Sequence, residues 1–111
     1  MNIIEASAGL NKRQIFSITQ GSGVQKLKDN DGRQFDIIDY IIYEDADSKT
    51  GEMRELLAFV TNDGDIIGTS SRTVIRTFRA LKEQFELPFV DIKIVSDVSK
   101  NGRTFYDIAL A

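Results

Sequence analysis

The sequence predicts a mainly β domain with one helix, arranged as a five-stranded Greek-key barrel with the helix between strands three and four. Three observations carry this. Runs rich in β-branched and aromatic residues alternate with Asn/Asp/Gly turns along most of the chain, the pattern of strands joined by tight connections. Only the segment from Ser70 to Phe85 repeats apolar residues at helical spacing over any length. Two further strand patterns follow it, so the helix falls between the third and fourth strand systems.

Residues 1–13 carry Ile3, Ile4 and Leu10 without a clear period, and are expected to be a leader of undefined structure before a single domain spanning 14–111. From Gln14, the residues Ile15, Phe16, Ile18 and Thr19 predict a strand. Gly21-Ser22-Gly23 interrupts it before Val24 to Lys28 resumes an extended pattern, giving one bent strand or a hairpin. Asp29-Asn30-Asp31-Gly32 is a turn, because these residues tolerate positive φ and bond to their own backbone. Phe35 to Glu44 is apolar on both parities at Ile37, Ile38, Tyr40, Ile41, Ile42 and Tyr43. That suits a central strand covered on both faces. After the turn Asp47 to Gly51, the run Met53 to Thr61 forms the next strand, and Asn62-Asp63-Gly64 closes a hairpin onto Asp65 to Thr69.

Ser70 or Ser71 supplies a helix cap, since a serine oxygen accepts from an otherwise unpaired first-turn amide. Val74, Phe78, Leu81 and Phe85, with Ile75 alongside, form one apolar stripe. Leu87-Pro88 stops the helix, because the residue before proline is pushed out of the α region. Val90, Ile92 and Ile94 alternate with Asp91 and Lys93 as a half-buried strand. The Asn-Gly of Lys100-Asn101-Gly102-Arg103 then turns the chain into a last strand, Thr104 to Leu110. This order matches the oligonucleotide/oligosaccharide-binding (OB) barrel.

Composition narrows the chemistry. A chain of 111 residues with 41% hydrophobic content suits one domain. It has no cysteine, histidine or tryptophan, which excludes disulfides, thiol nucleophiles, zinc sites and histidine-centred catalysis. No apolar run reaches the roughly 18 residues of a membrane span, and the start lacks a basic signal region, so a cytoplasmic location without membrane association is expected. Asp29-Asn30-Asp31-Gly32 and Asn62-Asp63-Gly64-Asp65 resemble pieces of a calcium loop but lack its closing glutamate. Glu44, Asp45 and Asp47 suit a solvated strand end. Ser70 and Ser71 have no partner base and are read as caps. No enzyme activity, metal or cofactor is therefore assigned.

The net charge of −3 argues against a uniformly basic surface but leaves room for a local basic groove. Holding a single strand without sequence preference takes cations for phosphates and flat side chains for bases. Tyr40, Tyr43, Phe59 and Tyr106 lie on predicted strands, with Lys26, Lys28, Arg33, Lys100 and Arg103 in or beside the adjoining loops. In an OB barrel the binding face is strands two and three, flanked by the one-two and four-five loops. Phe59 is weighted toward the core, since phenylalanine is among the residues most often fully buried. Arg72, Arg76 and Arg79 are read as a solvated or acid-paired helix face.

Several segments resemble the small single-stranded-DNA-binding proteins of phages infecting Gram-positive bacteria, including protein-primed Bacillus phages. They are Gly21 to Leu27, Tyr43-Glu44-Asp45, Thr61 to Gly64 with Gly68 to Thr73, Phe78, and Ser99 to Phe105, within a match over about residues 14 to 111. The resemblance implies a replication accessory, in host cytoplasm, that coats displaced strands cooperatively, with replication proteins as further partners. It carries Tyr43, Lys100 and Arg103 as site residues. Cellular single-strand binders end in an acidic tail, whereas this sequence ends Asp107-Ile108-Ala109-Leu110-Ala111, which weighs against recruitment of host repair proteins. The acidic segment from Glu44 to Glu55 supports an alternative: a phage protein-interaction module, as virion component or inhibitor of a host factor, without nucleic-acid binding.

Overall fold

The computed structural model describes residues 1–111. In chain order the elements are β1 (Asn2–Ala6), α1 (Lys12–Gln20), β2 (Val24–Lys26), a 3₁₀ turn (Leu27–Asn30), β3 (Gln34–Ala46), β4 (Met53–Thr61), β5 (Ile66–Thr69), α2 (Arg72–Gln84), β6 (Phe89–Val98) and β7 (Thr104–Leu110). Seven strands and two helices replace the expected five and one. The strands form one curled, open sheet in the order β2-β5-β4-β3-β6-β7, with β1 paired to β3. No helix is long and apolar enough to cross a membrane.

β3 organises the sheet. Its whole length from Ile37 pairs antiparallel with β4, while its other edge is divided: Gln34 to Ile37 pairs with β6, and Ile41 to Glu44 with β1. Ile37 opposes Thr61 and Asp39 opposes Val60, so Ile38 is an extra residue, a bulge that reverses the strand's facing. Phe35 and Ile37 before it, and Tyr40 and Ile42 after it, therefore all enter the larger core. Ile41 and Tyr43 enter a second cluster with Ile18 and Ala58. This is why β3 reads as apolar on both parities.

α2 fills the concave side of the sheet. Ser71 caps it, its Oγ accepting from the Val74 N–H at 3.3 Å, and Val74, Ile75, Phe78 and Leu81 are buried in the larger core. The Phe78 ring lies 5.0 Å from Tyr40 and 5.6 Å from Phe89. Such offset and tilted aromatic pairs add about 0.5–1.5 kcal/mol each beyond area burial. The helix stops at Gln84, before the Leu87-Pro88 pair expected to end it.

The N-terminal region departs most from expectation. Residues 2–6 are a paired strand rather than a leader, and Ile15 to Thr19 lie in a helix rather than a strand. Asn11 and Gln14 form a reciprocal capping box, Asn11 Oδ1 accepting from the Gln14 N–H at 2.8 Å and Gln14 Oε1 from the Asn11 N–H at 3.0 Å. Gly21, at φ 69°, closes the other end, its N–H donating to Ile18. Both ends are thus satisfied locally, which outweighs the β-branched composition between them. In β6 the alternation fails at Val90, which is 54% exposed. Asp91 takes φ 55°, and its N–H donates to Asp36 Oδ1 at 3.0 Å, so the strand turns by one residue before Ile92 and Ile94 resume the inward face.

Candidate nucleic-acid interface

β5 and β7 do not pair. A cleft of about 760 Å³ opens where they would meet, with β2 and the 3₁₀ turn along one side and Thr104, Phe105 and Tyr106 of β7 along the other. β2 reaches this position by parallel pairing with β5, Val24 opposite Ile66 and Lys26 opposite Gly68. Leu27 is buried in the core, which leaves Lys26 and Lys28 on either side of it exposed at the cleft wall. The Asn30 side-chain amide donates to the Lys26 carbonyl at 2.9 Å and holds the turn. Arg54 of β4 supplies a third cation, with Tyr43 and Leu56 nearby.

The electrostatics of the cleft oppose those of the molecule. None of the chain's 17 aspartates and glutamates lines it. Lys26 and Lys28 have no ion-pair partner, and Arg54 is shared with Asp47 at 3.4 Å while remaining half exposed. Three cations and two aromatic side chains around one open cleft can hold a flexible polyanion carrying flat, stackable groups.

Of the predicted site residues, Lys26, Lys28, Tyr43 and Tyr106 come together in this cleft. The other assignments change. Phe59 has 0% exposure and lies in the core beside Phe35 and Phe78, so it offers no face to a base. Tyr40 is 7% exposed. Its hydroxyl donates to Glu5 of β1, and Glu5 also pairs with Lys82, whose ammonium sits 4.9 Å above the Tyr40 ring. Burial pushes the Tyr40 phenol above its usual pKa. Tyr43 borders the cleft but at 9% exposure shows only an edge, its ring being packed with Ile18 of α1. Burial raises its pKa too, with Asp45 adding and Arg54 opposing. Elements outside β3 cover both tyrosines: α2, through Phe78 and Lys82, closes over the Tyr40 ring while β1, expected as a leader, takes its hydroxyl, and α1, expected as a strand, packs Ile18 with Tyr43.

Arg33 is a structural clamp. Its guanidinium donates to Asp65 at 2.7 Å, to Asp63 at 3.3 Å and to Asn30 at 3.1 Å, tying the start of β3 to the β4–β5 turn. The hydrogen bond with Asp65 leads the effects that raise its pKa, against a smaller desolvation cost. Lys100 and Arg103 are exposed on the β6–β7 turn outside the cleft lining, Arg103 one residue from Thr104, which lines it. Two lining residues were not anticipated. Phe105 is 45% exposed beside Tyr106, and its position in an aromatic pair after a basic turn was the available signal. Arg54 was hidden by the acidic segment around it.

Fold and cleft together define a mainly β half-barrel with a basic, aromatic-edged opening. Compared with known proteins, the chain matches no family model, no curated sequence and no solved structure.

Proposed function

We propose that this protein binds single-stranded DNA, largely without sequence preference, in the cleft between β2 and β7. The observation that carries the reading is that an acidic chain gathers Lys26, Lys28 and Arg54 opposite Phe105 and Tyr106 in one opening free of carboxylates. Lysine and arginine hold successive phosphates, and the rings of Phe105 and Tyr106 receive bases. Each stacked base is worth about 1–3 kcal/mol.

Strand order supports an OB reading of β3 to β7. β3, β4 and β5 form a meander, β6 and β7 a hairpin on the other side of β3, and α2 falls between the third and fourth of these strands. On that reading β4 and β5 are strands two and three, the usual binding face, and they contribute Arg54, Leu56, Gly68 and Thr69 to the cleft. β1, α1 and β2 are additions to it. The resemblance to phage single-strand binders extends the proposal to coating of displaced strands during phage DNA replication, with self-association along the strand.

Oligo-dT titration tests the proposal. Binding should quench tyrosine fluorescence and weaken with salt, with a slope of about −2 in log K against log salt for three phosphate contacts on a single strand. Unchanged fluorescence and mobility at low salt would contradict it.

A further inference from the structure

A second cleft, of about 630 Å³, lies between the outer face of α2 and the start of β4. Four arginines line it, Arg54, Arg72, Arg76 and Arg79, against two acids, Glu55 and Glu83. Arg79 is committed to Glu55 at 3.0 Å. Arg72 and Arg76 have no acidic partner within ion-pair distance and are exposed. They stand one helical turn apart, and like charges at that spacing destabilise a helix by a few tenths of a kcal/mol. No ion pair offsets that cost at either arginine. Their inward neighbours Val74, Ile75 and Phe78 do the packing.

The two clefts adjoin. Arg54 and Ser70 line both, so the opening between β2 and β7 runs on into the arginine groove, with Arg54, half exposed and shared with Asp47 at 3.4 Å, at the junction. The groove differs in one respect: its apolar lining is Met53, Ile75 and Ala80, with no aromatic ring. It can take phosphates but offers nothing on which to stack bases.

We propose that the α2 groove continues the binding path, with Arg72 and Arg76 holding the backbone phosphates of nucleotides flanking those stacked in the aromatic cleft. This rests on the single-stranded-DNA reading. It predicts two kinds of contact along one strand: a stacked segment dependent on Phe105 and Tyr106, then a segment held by charge alone. It also reassigns Arg72 and Arg76, on a face of α2 expected to be solvated or acid-paired, to the ligand.

The test compares the full-length wild type with the Arg72→Ala/Arg76→Ala double variant, using oligo-dT of about 4 and about 12 nucleotides, within the site sizes known for such domains. Fluorescence anisotropy over a salt series gives affinity and slope. The short oligonucleotide should bind both proteins alike. The long one should lose about 25-fold at 0.1 M salt, with its slope shallower by about 1.4, the loss of two phosphate contacts. A Lys12→Ala/Lys93→Ala variant removes the same charge outside both clefts and should bind the long oligonucleotide nearly as wild type does. Equal long-oligonucleotide binding by wild type and the arginine variant overturns the groove alone. So does an equal loss at both lengths, or a matching loss in the lysine control. Failure of the wild type to bind either length overturns the cleft reading, and the groove with it.

Discussion

A β-carbon placed on Gly68 would stand 2.9 Å from Cγ1 of Val24. The parallel contact between β5 and β2 therefore depends on a missing side chain, since valine is stiff about χ1 and has little room to withdraw. This contact carries Lys26 and Lys28 to the cleft. Gly68→Ala should cost about 1–3 kcal/mol through overpacking, read by urea unfolding, and should weaken oligo-dT binding by displacing β2. Wild-type stability and affinity together would show that β2 is not held in this way.

Phe105→Ala should separate binding from folding. The side chain is 45% exposed, so its loss should change stability little, while losing a stacking surface should cost about 1–3 kcal/mol of binding. Binding isotherms beside thermal melts check both halves.

The fluorescence signal should belong to one residue. The chain has three tyrosines and no tryptophan, and Tyr40 and Tyr43 are buried. Tyr106→Phe keeps a ring for stacking and should leave affinity nearly unchanged, yet abolish most of the quenching. Full quenching in that variant would place the DNA against Tyr40 or Tyr43.

Tyr40→Phe should do the opposite. Removing the hydroxyl that bonds Glu5 should lower stability by about 1 kcal/mol, while oligonucleotide affinity stays at the wild-type value. A binding defect at unchanged stability would contradict the placement of Tyr40 in the core.

The β3–β4 turn should respond to acid. Backbone N–H groups of Lys49 and Thr50 donate to Asp47 Oδ1 at 2.8 and 3.2 Å, and with the smaller effect of Arg54 they hold its carboxyl below the usual pKa. A depressed folded pKa gives stability that is present above the unfolded value and disappears as pH falls through the folded one. The loss therefore belongs below about pH 4. Thermal melts across that range should decline less steeply in Asp47→Asn than in wild type.

What the sequence disclosed follows from where each signal arises. The Asn62-Asp63-Gly64 turn, the Ser71 cap and the double-faced character of β3 are local patterns, and each appears where expected. β1 gave no period because Asn2 to Ile4 and Ala6 are exposed, so pairing rather than burial defines it. α1 was disguised by its β-branched interior, although Asn11, Gln14 and Gly21 carried its caps. The β3 tyrosines failed for a non-local reason: whether their rings are free depends on α2 and β1 for Tyr40 and on α1 for Tyr43, each tens of residues away along the chain. Lys26 and Lys28 survived because a buried Leu27 between them forces both outward.

Whether single-stranded DNA lies in the cleft between β2 and β7 is read out by ultraviolet cross-linking of oligo-dT to the wild-type protein, followed by peptide mapping. Adducts are expected on the β7 peptide at Phe105 or Tyr106. Adducts confined to peptides outside the two clefts, or none under conditions where a known single-strand binder cross-links, would contradict it.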